Sequence, residues 1–140
     1  VSGEYVTWTG IPEFKEALLI AERNIDRASS AALLEIAALA ESKAKGNFAG
    51  SHAKGQPHTG GSQPNVVSGN LRRSITRTAI QRTGPGDYMT RVYPSTVYAR
   101  AVELGNPLTG SRAYPYFGPA MKVVRANAND ILIRAWSKYI

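Results

Sequence analysis

The chain contains no cysteine, which excludes disulfide bonds and thiolate metal sites. No apolar run approaches the ~20 residues of a membrane-spanning helix, so no membrane partner is expected. The N-terminus, VSGEYVTWTG, has no basic stretch followed by an apolar one; no signal peptide is expected, and the cytoplasm is the expected place of synthesis. GxSxG, the P-loop, GxGxxG and HExxH are all missing, and with them the chemistry that each positions. No enzymatic activity and no cofactor are expected. Acidic charge is absent from a long internal stretch: there is no Asp or Glu from Asn47 to Gly86.

That stretch carries Lys54, Arg72, Arg73, Arg77 and Arg82, and a run rich in Gly, Ser, Pro and Gln, GSHAKGQPHTGGSQPNVVSG. Together with a net charge of +7, it points to a polyanionic neighbour such as nucleic acid or an acidic protein surface. The 140 residues suit one domain, and at 43% hydrophobic they can build a core.

Glu4 to Thr9, EYVTWT, reads as a short strand. Pro12 to Lys45 then carries a strong helical pattern. Phe14, Leu18, Ala21, Ile25, Ala28, Ala32, Leu39 and Lys43 recur on steps of three and four, and Gly46 can cap the end. At about 1.5 Å per residue this helix runs about 50 Å, roughly twice the ~26 Å diameter of a small domain. Either it breaks near Ser29-Ser30, or part of it packs on another copy, or it is a long core helix. Asn47 to Val67 reads as a mobile loop of a length that is uncommon unless functional.

Ser68 can cap a short turn, SGNLRRS. Ile75–Thr83 and Tyr88–Pro94 form a hairpin about the Gly84-Pro85-Gly86-Asp87 turn, with Arg77 and Arg91 toward solvent or a partner. Ser95 to Leu104 reads as a helix ended by Gly105. Tyr114-Pro115-Tyr116-Phe117-Gly118-Pro119 is an aromatic–proline turn, and Pro119 opens a last helix with Met121, Val124, Ala128, Ile131, Ala135 and Tyr139 on one side. The fold class is α+β: a small antiparallel sheet packed by a long N-terminal and a C-terminal helix.

Chemistry-bearing residues are few. His52 and His58 have no carboxylate near them in sequence and read as solvated. Glu103 is the most prominent acid; without a second catalytic group it reads as the partner of an arginine such as Arg72 or Arg73. The tyrosines crowded into the C-terminal half suit a core and a protein interface better than base stacking.

Three motifs in order, SGNLRRSI (68–75), VYARAVELG (97–105) and YPYFGPA (114–120), follow an Ala-rich helix and a polar loop and precede an amphipathic helix. This arrangement resembles the neck or tail-completion proteins of long-tailed bacteriophages, which are similar in fold to tail terminators. The resemblance spans nearly the whole chain. It rests on Gly69, Leu71, Arg72, Ser74 and Ile75 in the first motif. Tyr98, Glu103 and Gly105 carry the second, and Pro115, Phe117, Pro119 and Ala120 the third, next to Tyr114. Ser68 stands where the family often has Thr. The resemblance implies a non-enzymatic structural subunit of the virion, assembled as a ring of commonly six copies at the head–tail junction. Such a ring couples the head connector or stopper ring to the tail terminator or tail tube, and genomic double-stranded DNA passes through its lumen. Tail termination, a head-completion stopper role and, from another class, non-specific nucleic-acid binding remain as alternatives.

Overall fold

A computed structural model describes residues 7–140. Most of the strand expected over residues 4–9 lies outside the described residues, and Thr7–Thr9 form no strand. Helix α1, Ile11–Gly46, runs unbroken through Ser29 and Ser30. Its interior has neither Gly nor Pro past the first turn, and alanines flank the serine pair, so nothing in the backbone chemistry favours a break there.

The buried line of α1 is made of small residues, Ala28, Ala32, Ala37, Ala40 and Ala44. This corrects the expected stripe, because Phe14 and Leu18 are exposed and so is Lys43. Alanines carry little bulk, so helix α4, Phe117–Tyr139, can lie close against them and fill the groove with its own larger residues. The two helices are antiparallel: Ala32 packs with Ile131 and Ala135, whereas Ala44 packs with Ala120 near the start of α4. An exposed ion pair, Arg134 Nη2 to Glu35 Oε1 at 2.9 Å, bridges them. Because α4 starts beside Ala44 and ends near Ala28, the first turns of α1 project past it.

Between the helices lies a short helix, α2 (Asn70–Ser74), and four short strands, β1 (Ile75–Arg77), β2 (Gln81–Gly84), β3 (Asp87–Met89) and β4 (Val92–Pro94). The expected hairpin forms, but as two two-stranded antiparallel pieces, β1–β4 and β2–β3. Pairing slips from Arg77↔Val92 to Gln81↔Met89, and again between Arg82 and Gly84. Thr78 and Thr90 bridge the first slip, with Thr90 Oγ1 donating to the Thr78 carbonyl at 2.8 Å and Arg91 N donating to Thr78 Oγ1 at 2.9 Å. Side-chain hydroxyls here satisfy backbone groups that a regular ladder would pair.

A second helix of the C-terminal half, α3, spans Ala99–Leu104 and begins four residues later than the sequence suggests. The Ser95–Tyr98 stretch is occupied in turning from β4, with Ser95 N bonded to the Ser74 carbonyl at 3.2 Å. The main core gathers Ala44, Leu71, Ile75, Ala99, Tyr116 and Ala120. One residue from each of α1, α2, β1 and α3 therefore meets the start of α4.

Ile75 is 1% exposed whereas Phe14 is 64% exposed. In urea denaturation of the isolated subunit, Ile75→Ala is expected to lose about 2–5 kcal/mol. Phe14→Ala should stay within about 0.5 kcal/mol of the parent.

Candidate assembly surface

The second and third sequence motifs interlock through one carboxylate. Glu103 lies at the end of α3, and Gly105 turns the chain with φ 78°. A Cβ at Gly105 would sit 2.9 Å from the Ser111 carbonyl and 3.0 Å from Ala113 N, so only glycine fits. The Asn106–Ser111 loop closes on paired backbone hydrogen bonds, and Tyr114 N donates to the Val102 carbonyl at 2.8 Å. That return brings the start of α4 onto Glu103. Tyr116 N and Phe117 N donate to Oε2 at 2.8 and 2.9 Å, and Gly118 N donates to Oε1 at 2.8 Å. Pro119 comes next and has no N–H to satisfy. A full negative charge thus meets the positive end of a 23-residue helix.

Glu103 is therefore not the partner of an arginine, as the sequence suggested. It is a helix cap supplied from 13 residues upstream. No side chain of Tyr116 caps α4 locally, so the cap must come from elsewhere in the chain. Pro115 precedes these donors, between Tyr114 and Tyr116, and borders the groove described below.

Tyr116, which the sequence did not single out, is the largest fully buried side chain. Its carbonyl accepts from Asn47 Nδ2 at 2.8 Å, its ring lies 5.1 Å from that of Phe48, and its hydroxyl reaches the Ala99 carbonyl at 3.4 Å. Burial, and then the nearby Glu103 charge, push its pKa up to about 12. The missed signal is its place between Pro115 and Phe117 at a helix start, where an aromatic side chain turns inward.

The first motif builds a corner. Gly69 takes φ 78° before α2, and a Cβ there would come within 2.7 Å of Arg73 Nη1. Arg73 folds back to donate to the Ser68 carbonyl at 3.1 Å and to Asn70 Oδ1 at 2.8 Å. Leu71 and Ile75 enter the core, and Ser74 Oγ donates to the Leu71 carbonyl at 2.7 Å while receiving Ser95 N at 3.3 Å. Arg77 does not face open solvent alone: its Nε sits 3.5 Å from Glu41 of α1. Arg82 lies 3.5 Å from Glu22 and 3.6 Å from Asp26. Arg72, Arg73 and Arg77 border adjoining shallow depressions that also include Lys45. Arg82 sits apart at the hairpin, and Lys54 is exposed in the loop after α1.

That loop is not structureless. Asn65 is its hub: Oδ1 accepts from Thr59 N at 2.8 Å and contacts His52 Nδ1 at 2.9 Å, and Nδ2 donates to the Ala49 carbonyl at 2.7 Å. Ser51 bridges to Val66 in parallel. His52 and His58 are half-buried rather than solvated; the His58 ring stacks on Tyr114 with centroids 3.9 Å apart. Stacking on a distant tyrosine and bonding to an asparagine leave no trace in local spacing. With Tyr98 and Leu71, these rings line a pocket of about 380 Å³. Among the described residues no three His, Asp or Glu side chains gather as a metal site.

A larger groove, about 840 Å³, opens beside the Glu103 cap. Its walls include Val97, Leu104, Phe117 and Met121, and its rim carries Arg100, Lys122 and Arg125. At the far end of α1, Trp8, Ile11, Phe14, Leu18, Leu19 and Ile20 are all at least 44% exposed. Ile11, Phe14 and Leu18 share one side of the helix, and Leu19 and Ile20 lie on others.

Glu103→Ala leaves the three N–H groups without their acceptor, and the expected loss in urea denaturation is about 2 kcal/mol. Glu103→Gln keeps one carbonyl acceptor and should lose less. The Tyr116 phenol keeps its proton up to about 12 when folded, against 10.0 ordinarily. Its contribution is thus full below about pH 10 and falls away toward about pH 12, by roughly 2–3 kcal/mol. Denaturation at a series of alkaline pH values should show that loss, and Tyr116→Phe should remove it. No family model matches this chain, and neither does any curated protein or solved structure.

Proposed function

We propose that the chain is a structural subunit of a bacteriophage head–tail junction, a ring of the neck or tail-completion type. The observation that carries this reading is the use to which the three resembling motifs are put. SGNLRRSI makes the corner of α2, VELG supplies the Glu103 cap, and YPYFGPA receives it. Residues that carry the resemblance thus hold one another in place, which suits a scaffold. The exposed apolar turns at the start of α1 support self-assembly, since a ring repeats one heterologous contact around an axis.

The ring would bind the head connector or stopper on one side and the tail terminator or tube on the other, with DNA in its lumen. Arg72 and Arg73, beside Lys45 and Arg77 that share Glu41, form a cationic surface suited to a DNA backbone. That same cluster supports the alternative of a non-specific nucleic-acid-binding module.

The protein is expected in purified virions, and its deletion should give full heads and complete tails that do not join. Its absence from particles overturns the reading. Replacing residues 51–63 by a short flexible linker should leave a folded subunit and reduce joining, read as phage titre. In a salt titration of duplex binding starting at about 50 mM, Arg72→Ala should flatten the log–log slope by about one. Strong binding by a protein missing from virions would favour the nucleic-acid module instead.

A further inference from the structure

The first turns of α1 carry a regular apolar seam. Ile11, Phe14, Leu18, Ala21 and Ile25 recur on alternating steps of three and four, the spacing by which one helix packs along another. At about 100° per residue they fall within about 80° of arc. Phe14 and Leu18 are 64% and 54% exposed, Ala21 is exposed and Ile25 is half-buried. The next two steps, Ala28 and Ala32, are buried, and Ala32 packs against Ile131 and Ala135 of α4. One seam therefore runs along α1, covered from Ala28 onward and open before it.

Charge borders only one edge of the open part. Lys15, Glu22 and Asp26 lie along that edge, whereas Ala17 and Asn24 lie along the other. Glu13, Glu16, Ile20, Arg23 and Arg27 point to the far side of the helix, and Leu19 lies beyond the charged edge. Within the subunit Arg82 sits 3.5 Å from Glu22 and 3.6 Å from Asp26. Two carboxylates thus share one cation. Lys15, a turn or two away, meets no carboxylate among the described residues. The basic groove beside Glu103 does not suit this face, because Lys15 would meet Arg100, Lys122 and Arg125.

The seam is complementary to itself in one arrangement. In an antiparallel pair of helices, like edges meet. With Leu18 opposite Ala21 of a second copy, a large residue faces a small one on each side of the two-fold axis, and Phe14 then faces Ile25. Lys15 falls between Glu22 and Asp26 of the second copy, about 3 Å along the axis from each. The symmetry makes both contacts twice. Sliding by one heptad sets Lys15 against Lys15 in one direction and Glu22 against Glu22 in the other. A parallel pair turns the charged edge onto the uncharged one.

We infer that the free chain forms a two-fold dimer through the first turns of α1, antiparallel, with Leu18 against Ala21 and Lys15 against Glu22 and Asp26 of the second copy. The pairing ends where Ala28 is already covered. Ile11 of the second copy then lies beside the end of α4, where Ile140 is exposed. The negative end of α4 there meets the positive start of the second α1. The contact uses the same surface on both copies, so it closes at two. It describes the free subunit and does not rest on the head–tail reading; a ring that used these turns would have to part them first.

The chain lacks cysteine, so introduced thiols report contacts without background. Mixing full-length Leu18→Cys with full-length Ala21→Cys under mild oxidation should yield a cross-linked heterodimer, in excess of the homodimers either variant forms alone. Lys15→Glu and Glu22→Lys should each weaken dimerisation by about tenfold, followed by light scattering over a range of concentrations. An equimolar mixture of these two variants should recover it as a heterodimer, since every Lys15–Glu22 contact is then again opposite in sign. Circular dichroism checks that each variant folds. Leu18→Asp, at an exposed position outside the core clusters, replaces any variant that misfolds and should leave a monomer.

Homodimer cross-links in excess overturn the antiparallel register. Dimers indifferent to charge reversal and to Leu18→Asp overturn the surface, and a chain monomeric at every concentration overturns the pairing altogether. Presence in virions is measured separately and decides only the head–tail reading.

Discussion

Three backbone N–H groups at the start of α4 point at one carboxylate, and the remainder of the C-terminal half is arranged to deliver it. Glu103 must sit at the end of α3, Gly105 must reverse the chain, and Tyr114 must return to Val102 before the donors at Tyr116, Phe117 and Gly118 come into reach. Without the cap, the part-buried donors at Tyr116 and Phe117 would be left unsatisfied at up to about 1–3 kcal/mol each, and the exposed Gly118 N–H would turn to water at less cost. The same geometry drives Tyr116 into the core, where it meets Phe48, Asn47 and Ala99. One electrostatic contact therefore sets the register between α3 and α4, and through Tyr116 it also sets where the end of α1 lies.

The long helix serves two purposes along its length. From Ala28 to Ala44 its alanines admit α4 and the small core. From Ile11 to Ile20 the residues are larger and more apolar but meet no other element of the subunit core. The exposed first turns can therefore change without unpacking the core.

The expected elements were legible to different depths. Helix α1 could be read to within a residue at either end, because periodicity, alanine content, Pro12 and Gly46 all agree. Its buried line could not, since the most apolar positions, Phe14 and Leu18, are the exposed ones. Periodicity marks a face but does not say which turns of that face find a partner in the same subunit. The hairpin was legible from its Gly-Pro-Gly-Asp turn, whereas its division at Thr78 and Thr90 depends on hydroxyl bonds across the strands. Glu103 was visible as an unusual acid, yet its partner was misassigned to an arginine. Backbone N–H groups have no letter in a sequence, so a cap supplied across 13 residues leaves no local pattern. The half-buried histidines were missed for a similar reason, because their partners, Asn65 and Tyr114, lie 13 and 56 residues away.

Composition and local spacing by themselves determined the α+β class, the long first helix, the hairpin, the last helix and the acid-free basic stretch. Each of these follows from interactions between residues a few positions apart, which spacing encodes directly. Only the tertiary structure decided that Glu103 caps α4, that Arg73, Arg77 and Arg82 are engaged within the subunit, and that the loop after α1 is organised around Asn65. It also decided that the apolar first turns of α1 stay exposed while its alanine line is buried. Those outcomes depend on which distant segments the core brings together, and that is settled by packing Ala44, Ile75 and Tyr116 against one another.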